Sequence, residues 1–569
     1  MDGVERGRAD LAAWASERPR NFYQEAPHLP TMLVHGAGAA RASAVEPRLR
    51  AFGNVVATVV EPAVEVMERH RDLPKHIPYD AVGRRVDLIE FHPAYEAIGR
   101  EVWGSGLIAV NRGGRGAFEQ AALFYLLSHV GEGGHACPAV CTAGLARALE
   151  RRGSKQLADA HLDGLFQTDY DSCLRGAQFL TEVQGGSDVG ANAMVATPAA
   201  AKDGVWLLHG EKWFCSVADA DLFAVTARPH GAGSGTQGLA CFLVPRTLDS
   251  ATSNNFRIRR LKDKLGTRCL ASAEIEFDGS LAWPIGPLDE GFHVAVEELL
   301  NTSRWLNAVG SAGIMHRAFL EAASYSRHRR AFGQNINELP AVRTTLAAMK
   351  MDAHAALAST LLLTGLIERL DAGIASDGDR AAHRILINAN KLVTSIDATD
   401  VAHRGIEVLG GNGTIEDFSS LPRLYRDSIV YESWEGTHGV LCAQVKRDLG
   451  REDTLDTLLD WLFDHVQRSG SDAARGELDA LGPALRNSVA EPEQAGAVFR
   501  SQLVSLVRVI QSSELSMLVT HQGRDETAAI AELFARVRLH QGGVNNSSRS
   551  DAALINRALG SDADVSASR

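Results

Sequence analysis

The chain has 569 residues, of which 45% are hydrophobic and 22% are charged, an ordinary balance for a globular protein. A chain of this length exceeds what one hydrophobic core organises, so we expect several domains that share interfaces. The formal net charge of −12 argues against a general affinity for nucleic acid or for anionic membranes.

The N-terminal residues argue against a secreted protein, and the most apolar segment argues against a membrane-spanning one. The start, MDGVERGRADLAAW, carries acidic residues and lacks the apolar run of a secretory signal. The segment AALASTLLLTGLI contains thirteen residues, fewer than the about 20 that a membrane-spanning helix needs. We therefore expect a cytoplasmic protein with no membrane span.

The cysteines predict neither a disulfide framework nor a zinc site, because their number is odd and no C-x-x-C pair occurs. His135, Cys137 and Cys141 are close in sequence, but a proline separates the two cysteines. Structural roles are favoured there over metal ligation, and no metal site is predicted.

Residues 1–175 predict a mainly helical N-terminal domain. Apolar residues recur at spacings of three and four in AVEPRLRAFGNVVATVVEPAVEVMERHRDL and in GAFEQAALFYLLSHV. Residues 176–285 then predict a β-domain, since short β-rich runs such as DLFAVTARP and LACFLVPR alternate with Gly, Pro, Asn and Asp.

Helical periodicity returns over residues 286–447, which predict a C-terminal helical bundle of long amphipathic helices. Pro340 is suited to opening one helix and Gly410 to ending another. Residues 448–569 predict a further helical extension that ends in the small polar tail LGSDADVSASR. The predicted class is therefore α+β, with helices before and after a β-domain.

A glycine-containing turn, TEVQGGSDVGANA, opens the β-domain at residues 181–193. Gly185 and Gly186 let the backbone approach a ligand closely, while Thr181 and Ser187 supply short polar groups. In isolation, an ordinary turn explains this pattern more often than a ligand site does.

A second pattern, GEKWFCS, places Trp213 and Phe214 in a strand beside the hydroxyl of Ser216. A planar aromatic next to one hydroxyl suits an isoalloxazine ring, because one group stacks and the other donates a hydrogen bond. The alternative is a pair of core aromatics at the end of a strand.

Six motifs together give the chain a recognisable likeness. TEVQGGSDV, GEKWFCS, RLKDKLGTR, RHRRAFG, EVLGGNG and WEGT occur in the order and approximate spacing of the acyl-CoA dehydrogenase superfamily. FHPAYE, GGSDV, KDKLG and LPRLYR resemble its adaptive-response branch, the AidB-like proteins. The resemblance covers residues 80–445 best and implies an acyl-CoA dehydrogenase-like fold, with a β-barrel in the middle domain.

The resemblance also implies FAD as cofactor and assigns residues to it. On the barrel side, it assigns Thr181 and Ser187 to the ring and ribityl chain, Phe214 to the ring face and Ser216 to the N5/O4 edge. From a neighbouring subunit, it assigns Arg329 and the turn of Gly410, Gly411 and Gly413 to the pyrophosphate. It assigns Phe332 to the adenosine half and Thr437 to the adenine side. Such a site depends on a dimer, and family members usually assemble as dimers of dimers, that is, homotetramers.

The loop YESWEGTHGVL carries the candidate catalytic base. Glu435 matches the glutamate of the family pattern aromatic–Glu–Gly–Thr, and desolvation beside Trp434 should raise its pKa and make it a better base. Some relatives carry the base just before an arginine on the first bundle helix, but that position is Ser303 here. We interpret Glu432 as an acid at the surface or behind the site.

Three residues are assigned to the substrate: Ser187, Arg304 and Trp434. Arg304 either holds Glu435 or the substrate loop by charge, or buttresses helices, and the sequence favours neither. Trp434 is expected to narrow the acyl pocket, which favours short or branched acyl thioesters. An electron-transfer flavoprotein is the electron acceptor that the resemblance implies.

Two alternatives stay open at the level of sequence. The same scaffold serves oxygen-using flavin oxidases and monooxygenases, and AidB-like proteins are linked to alkylation stress and DNA binding. No lysine follows Lys446, and the later arginines are dispersed among acids in segments such as REDTLDTLLDWLFDHVQ. Because phosphate contacts need Lys and Arg gathered on one face, the extension is expected to pack against the protein and not to bind nucleic acid.

Overall fold

Helical segments flank a β-barrel in the computed structural model, which describes residues 3–70, 72–200, 203–249, 252–491, 496–522, 525–539 and 549–560. The N-terminal part contains α1 (Gly3–Ser16), α2 (His28–Ala37), α3 (Ala39–Val55), α4 (Glu61–His70), α5 (Pro93–Gly104), α6 (Ala117–Leu127), α7 (Ala136–Arg152) and α8 (Lys155–Leu165), with a hairpin of β1 (Lys75–Tyr79) and β2 (Arg85–Glu90). Almost every residue of α6 and α7 is buried, so these two helices form the centre of this part.

The middle strands close on themselves. They are β3 (Gly176–Phe179), β4 (Val195–Pro198), β5 (Trp206–Ser216), β6 (Leu222–Pro229), β7 (Ala240–Pro245), β8 (Phe256–Leu261) and β9 (Ser272–Pro284). The pairs run β4–β5–β9–β7–β6, and β6 pairs again with β4, which completes the ring. β3 lies beside β6 in parallel and carries the chain from the helices into the barrel.

The bundle follows the barrel and is built from one short helix and five longer ones. They are α9 (Gly291–Val294), α10 (Asn301–His328), α11 (Pro340–Asp371), α12 (Asp377–Leu409), α13 (Leu421–Ser433) and α14 (His438–Leu449), and a hairpin of β10 (Arg330–Ala331) and β11 (Gln334–Asn335) joins α10 to α11. Pro340 occupies the first turn of α11, as predicted, because its missing N–H costs nothing there. Ser376 and Asp379 form a capping box that starts α12.

The extension folds back onto the bundle. It contains α15 (Thr454–Ser469), α16 (Asp472–Ala490), α17 (Gly496–Gln522), α18 (Asp525–Phe534) and α19 (Arg549–Leu559). On the buried side of α17, both terminal nitrogens of Arg508 lie 2.7 Å from the carboxylate of Asp397 on α12. Polar tail residues 561–569, for which fraying is predicted, lie outside the described residues.

One described segment, Val498–Thr520 in α17, is long and apolar enough to cross a membrane by length and composition. Buried residues make up 67% of its most apolar window, which is the pattern of a helix at the centre of a bundle. The sequence did not single out this helix as the most apolar one. The predicted α+β class, with helical parts before and after a β-barrel, is confirmed.

Candidate active site

Glu435 lies in the short connection between α13 and α14, in an unusual backbone conformation. Its φ is +58°, and the φ of the following Gly436 is +111°. A left-handed φ is unfavourable for a residue with a side chain, by about 1–3 kcal/mol, and persists where neighbouring contacts hold it. The backbone therefore presents Glu435 in a conformation that the surrounding residues must maintain.

Those contacts tie Glu435 to the barrel and to the bundle. Its Oε1 accepts hydrogen bonds from Gln178 Nε2 at 2.6 Å and from Trp434 Nε1 at 2.9 Å. Its backbone oxygen accepts one from Arg304 Nε at 3.1 Å. Gln178 Nε2 also donates to Ser303 Oγ at 2.8 Å. One amide therefore contacts both Glu435 and Ser303, the two positions that the sequence analysis considered for a catalytic base.

Burial raises the pKa of Glu435 above its ordinary value, although the Arg304 charge and the hydrogen bonds from Trp434 and Gln178 oppose the shift. Raising the pKa of a carboxylate strengthens it as a base. Two donors on one oxygen also fix the direction in which the carboxylate points. The arrangement presents an oriented, partly desolvated carboxylate.

Arg304 and Glu432 take positions that the sequence left open. Arg304 is buried at 3% exposure and binds the backbone of the loop at Glu435. Glu432 turns its carboxylate away, toward the hydroxyl of Thr399. Trp434 is partly buried and packs against the barrel core and against Tyr431, with ring centroids 5.0 Å apart.

The predicted glycine turn is braced from inside. Glu182 accepts hydrogen bonds from the backbone N–H of Ala193 at 2.7 Å and from the buried Lys212 Nζ at 2.8 Å. A Cβ on Gly186 would lie 3.0 Å from the Thr181 side chain, so a larger residue here would crowd Thr181. Ser187 is exposed on the same turn. The turn is thus held in one shape, with its polar side open.

Strand β5 places the other barrel-side residues beside this turn, because Trp213 N donates to Thr181 O at 2.9 Å. Phe214 is half exposed, and Ser216 Oγ lies 3.0 Å from Ser272 Oγ. Lys262 Nζ lies over the Phe214 ring, 4.8 Å from its centroid. The half-exposed aromatic, a partly buried hydroxyl and an open turn backbone form a set that fits an isoalloxazine ring. The sequence-predicted residues Thr181, Phe214 and Ser216 are therefore close together in the fold.

The remaining cofactor candidates lie at the end of α10. Arg329 follows its last turn, and Phe332 at the tip of the next hairpin is 92% exposed with a φ of +52°. A second glycine turn, at residues 410–413, is close to the end of α10, since Asn412 Nδ2 in that turn donates to Tyr325 OH at 3.0 Å. A Cβ on Gly413 would meet the Ile406 carbonyl at 2.6 Å, which explains the glycine at this position.

Gly410 and Gly411 are exposed in that turn, and Gly410 has a φ of +64°. Thr437 lies elsewhere, exposed at the first position before α14 and two residues after Glu435. Within this one chain, Thr437 therefore sits with the base and not with the glycine turn.

A cavity of about 1270 Å³ opens beside Arg304, between α7, α10, α12 and α14. Asn301 lines it and accepts a hydrogen bond from Arg304 Nη1 at 3.3 Å. Seven arginines and five acidic residues line the cavity, and Arg447 is exposed at its edge. Five of these arginines pair with Glu298, Asp371 or Asp448, so most of the positive charge is balanced within the fold.

Two residues of the site, Gln178 and Lys391, were missed by sequence reasoning. Gln178 is a polar residue in the otherwise apolar strand GAQF, three positions before Thr181. Lys391 is a lysine inside the buried helical run ILINANKLV, and its Nζ lies 2.8 Å from Glu432 O. A polar residue inside a buried element was the available signal in both cases.

Cys137 and Cys141, considered above as metal ligands, are buried with their sulfurs 3.8 Å apart. His135 directs its Nε2 to the backbone oxygen of Tyr95 at 2.7 Å. These contacts account for the three residues as part of the packing between α7, α5 and the barrel.

A helical N-terminal part, a β-barrel and a helical bundle, with a glutamate held between barrel and bundle, define the acyl-CoA dehydrogenase architecture. Residues 289–450 match the family described as acyl-CoA dehydrogenase, C-terminal domain, and residues 177–280 match its middle domain. Residues 17–172 match the adaptive response protein AidB N-terminal domain. The chain belongs to the acyl-CoA dehydrogenase family, in its AidB-like branch.

Two relatives illustrate this membership. Acyl-CoA dehydrogenase family member 11 of Caenorhabditis elegans is 32% identical over 453 residues, which are 76% of this chain and 72% of the relative. AidB of Escherichia coli (strain K12) is 33% identical over 407 residues, which are 69% of this chain and 72% of the relative.

Solved structures agree with the assignment. The crystal structure of C. elegans ACDH-11 in complex with C11-CoA has a TM-score of 0.85 at 28% identity and covers 92% of both chains. The acyl-CoA dehydrogenase of Bacillus anthracis complexed with FAD has a TM-score of 0.73 at 18% identity, covering 88% of this chain and 87% of that one, and supports the fold.

Proposed function

We propose that the protein is an FAD-dependent acyl-CoA dehydrogenase that oxidises the Cα–Cβ bond of an acyl thioester. Glu435 takes the α-proton while the β-hydride leaves to the flavin. The observation that carries this proposal is the orientation of one Glu435 oxygen by Gln178 and Trp434, at 2.6 and 2.9 Å. An oriented carboxylate of raised pKa is what abstraction of a weakly acidic proton requires.

FAD, when bound, supplies the oxidant whose N5 accepts the hydride. Thr181, Ser187, Phe214 and Ser216 would hold its ring and ribityl chain. Arg329, Phe332 and the glycine turn at 410–413 would reach its pyrophosphate and adenosine from a neighbouring subunit, with Thr437 near the adenine side. A guanidinium suits this role because it makes paired, charge-assisted bonds to phosphate oxygens. The exposed Phe332 supports a homo-oligomer, which we propose to be a dimer of dimers.

The substrate that we propose is an acyl-CoA. The cavity between α7, α10, α12 and α14 has a volume of about 1270 Å³, and Asn301 in its lining accepts a hydrogen bond from Arg304, which also binds the backbone of the Glu435 loop. ACDH-11, whose structure matches 92% of this chain, was crystallised with C11-CoA. Trp434 would narrow the acyl end, which favours short or branched chains, and an electron-transfer flavoprotein would reoxidise the enzyme.

Anaerobic mixing with acyl-CoAs of different chain length tests the proposal. The wild type should lose flavin absorbance with at least one thioester, and Glu435→Gln should lower the rate of that bleaching by about a hundredfold or more, the contribution of a general base. FAD content and thermal stability should be retained. Glu432→Gln is the matched control, because that carboxylate contacts Thr399, and its rate should stay near the wild type.

Two results would contradict the proposal. If no acyl-CoA bleaches the wild-type flavin, the dehydrogenase assignment is wrong. Rapid reoxidation of reduced enzyme by oxygen, with peroxide or an oxygenated product, would favour an oxidase or monooxygenase on the same scaffold.

A further inference from the structure

Two buried cations hold the backbone of the loop that carries Glu435. Lys391 Nζ donates to Glu432 O at 2.8 Å and to Gly436 O at 3.1 Å, and Arg304 Nε donates to Glu435 O at 3.1 Å. The last carbonyls of a helix have no partner within the helix and carry its negative dipole end. Lys391 and Arg304 therefore satisfy the carboxyl end of α13 and the turn that follows it.

We propose that Lys391 is a positioning residue for the base: it fixes the left-handed turn at Glu435 and supplies the positive charge that keeps the Glu435 carboxylate ionised. The inference rests on the proposed function, since it assigns a role to a residue that does not touch the substrate. It goes beyond that function by identifying a second cation, on α12, whose charge favours the ionised form of the Glu435 carboxylate.

Burial and the neighbouring charges support this role. The Lys391 side chain is fully buried. From α10 it faces Arg304, from the end of α13 Glu432, from the loop Glu435, and from the start of α14 His438. Its two hydrogen bonds to carbonyl oxygens satisfy donors without neutralising the charge, so the charge acts on the nearby carboxylates.

Burial lowers the pKa of Lys391 to about 7, with Arg304 adding to the shift and Glu435 and Glu432 opposing it. Below that pH the ammonium is charged and favours the ionised form of Glu435. Removing the charge raises the pKa of Glu435, because an opposite charge at close range favours the charged form of a carboxylate. The base then needs a higher pH to be ionised.

The pH dependence of anaerobic flavin reduction tests the charge. Lys391→Met should move the acid limb of the rate profile to higher pH by about one unit, the lower end of the effect of a nearby opposite charge. Lys391→Gln keeps a donor without the charge and should move the limb equally. Lys391→Arg, which keeps a positive charge, should leave it in place.

Lys350→Met is the matched control. Lys350 is also a buried lysine that donates to a backbone oxygen, Leu559 O at 3.0 Å, but it lies where the extension meets α11. Its replacement should lower stability without moving the acid limb. An acid limb that stays at the wild-type pH in both Lys391→Met and Lys391→Gln would overturn the proposal.

A second measurement does not depend on turnover. Backbone amides of residues 431–437 should exchange with deuterium faster in Lys391→Met than in the wild type, while Lys350→Met should leave their exchange unchanged. Unchanged exchange in Lys391→Met would overturn the positional part of the role. Failure of the proposed function would appear differently, as absence of flavin bleaching in the wild type with every thioester, with this exchange difference still present.

Discussion

Trp434 serves the candidate base in two ways that one residue rarely combines. Its ring packs against the barrel core and excludes water from Glu435, which raises the pKa of that carboxyl. Its Nε1 donates to Glu435 Oε1 at 2.9 Å, which lowers the same pKa. The ring and the indole N–H therefore act in opposite directions, and a substitution can separate them.

Trp434→Phe keeps an aromatic wall and removes the N–H donor. A hydrogen bond to a charged group contributes about 1.5–3 kcal/mol, so its loss should move the acid limb of flavin reduction upward by about one to two pH units. Trp461→Phe is the control, because Trp461 donates to Asp379 at 3.2 Å, away from the base. Equal profiles for Trp434→Phe and the wild type would show that this bond does not tune Glu435.

Helix α17 connects the extension to the N-terminal part through one buried carboxylate. Glu514 lies 3.1 Å from His35 Nε2 on α2 and 3.0 Å from His465 Nε2 on α15. Burial opposes its ionisation, but the hydrogen bonds from His35 and His465 and their charges lower its pKa to about 2. A carboxyl whose pKa falls on folding stabilises the fold above its unfolded pKa and loses that contribution as the pH falls toward the folded value.

Glu514→Gln should therefore destabilise the protein at pH 7, by about 3 kcal/mol if the whole shift from 4.5 to about 2 is lost. The difference from the wild type should shrink as the pH is lowered from 4.5 toward 2. Thermal unfolding between pH 7 and pH 3 measures this. Glu532→Gln is the control: its pair with Arg557 at 3.2 Å is on the surface and should matter little. A pH-independent loss of stability in Glu514→Gln would contradict the linkage.

The elements themselves could be predicted from the sequence better than their contacts. The change from helical spacing to short β-rich runs near residue 176 agrees with the start of β3 at Gly176, and Pro340 does open α11. Periodicity detects which face of one element is apolar. Periodicity does not show which side chain of another element will face that side. The contact between Gln178 on β3 and Glu435 in a loop therefore could not be predicted from it.

The same limit explains the partners of Arg304 and Lys391. A buried cation in a helix indicates that a partner exists, since an unpaired buried charge is costly. The sequence offered carboxylates as partners for Arg304, whereas the fold supplied a backbone oxygen of Glu435.

Ion pairs within the fold involve several of the positive charges of the extension, residues 448–569. Five of its arginines pair with acids in the described part of the chain: Arg508 with Asp397, Arg538 with Asp352, Arg486 with Asp456, Arg536 with Asp551 and Arg557 with Asp525. No lysine follows Lys446 in the sequence. A cation that is paired within the fold contributes little to an external phosphate contact.

We therefore predict that the protein binds duplex DNA only weakly and that the affinity changes little with salt concentration. A protein that neutralises Z phosphates loses affinity with a slope of about −0.9Z in log K against log salt, so an arm with six contacts gives a slope near −5. Fluorescence anisotropy with a labelled duplex between low and near-physiological salt should show no saturable binding and hence no such slope. The double variant Asp525→Asn/Asp551→Asn, which releases partners of Arg557 and Arg536, is the control for paired charge and should bind more at low salt. Tight binding of the wild type with a steep negative slope would contradict the prediction. It would show that positive charges outside these ion pairs determine how the extension interacts with DNA.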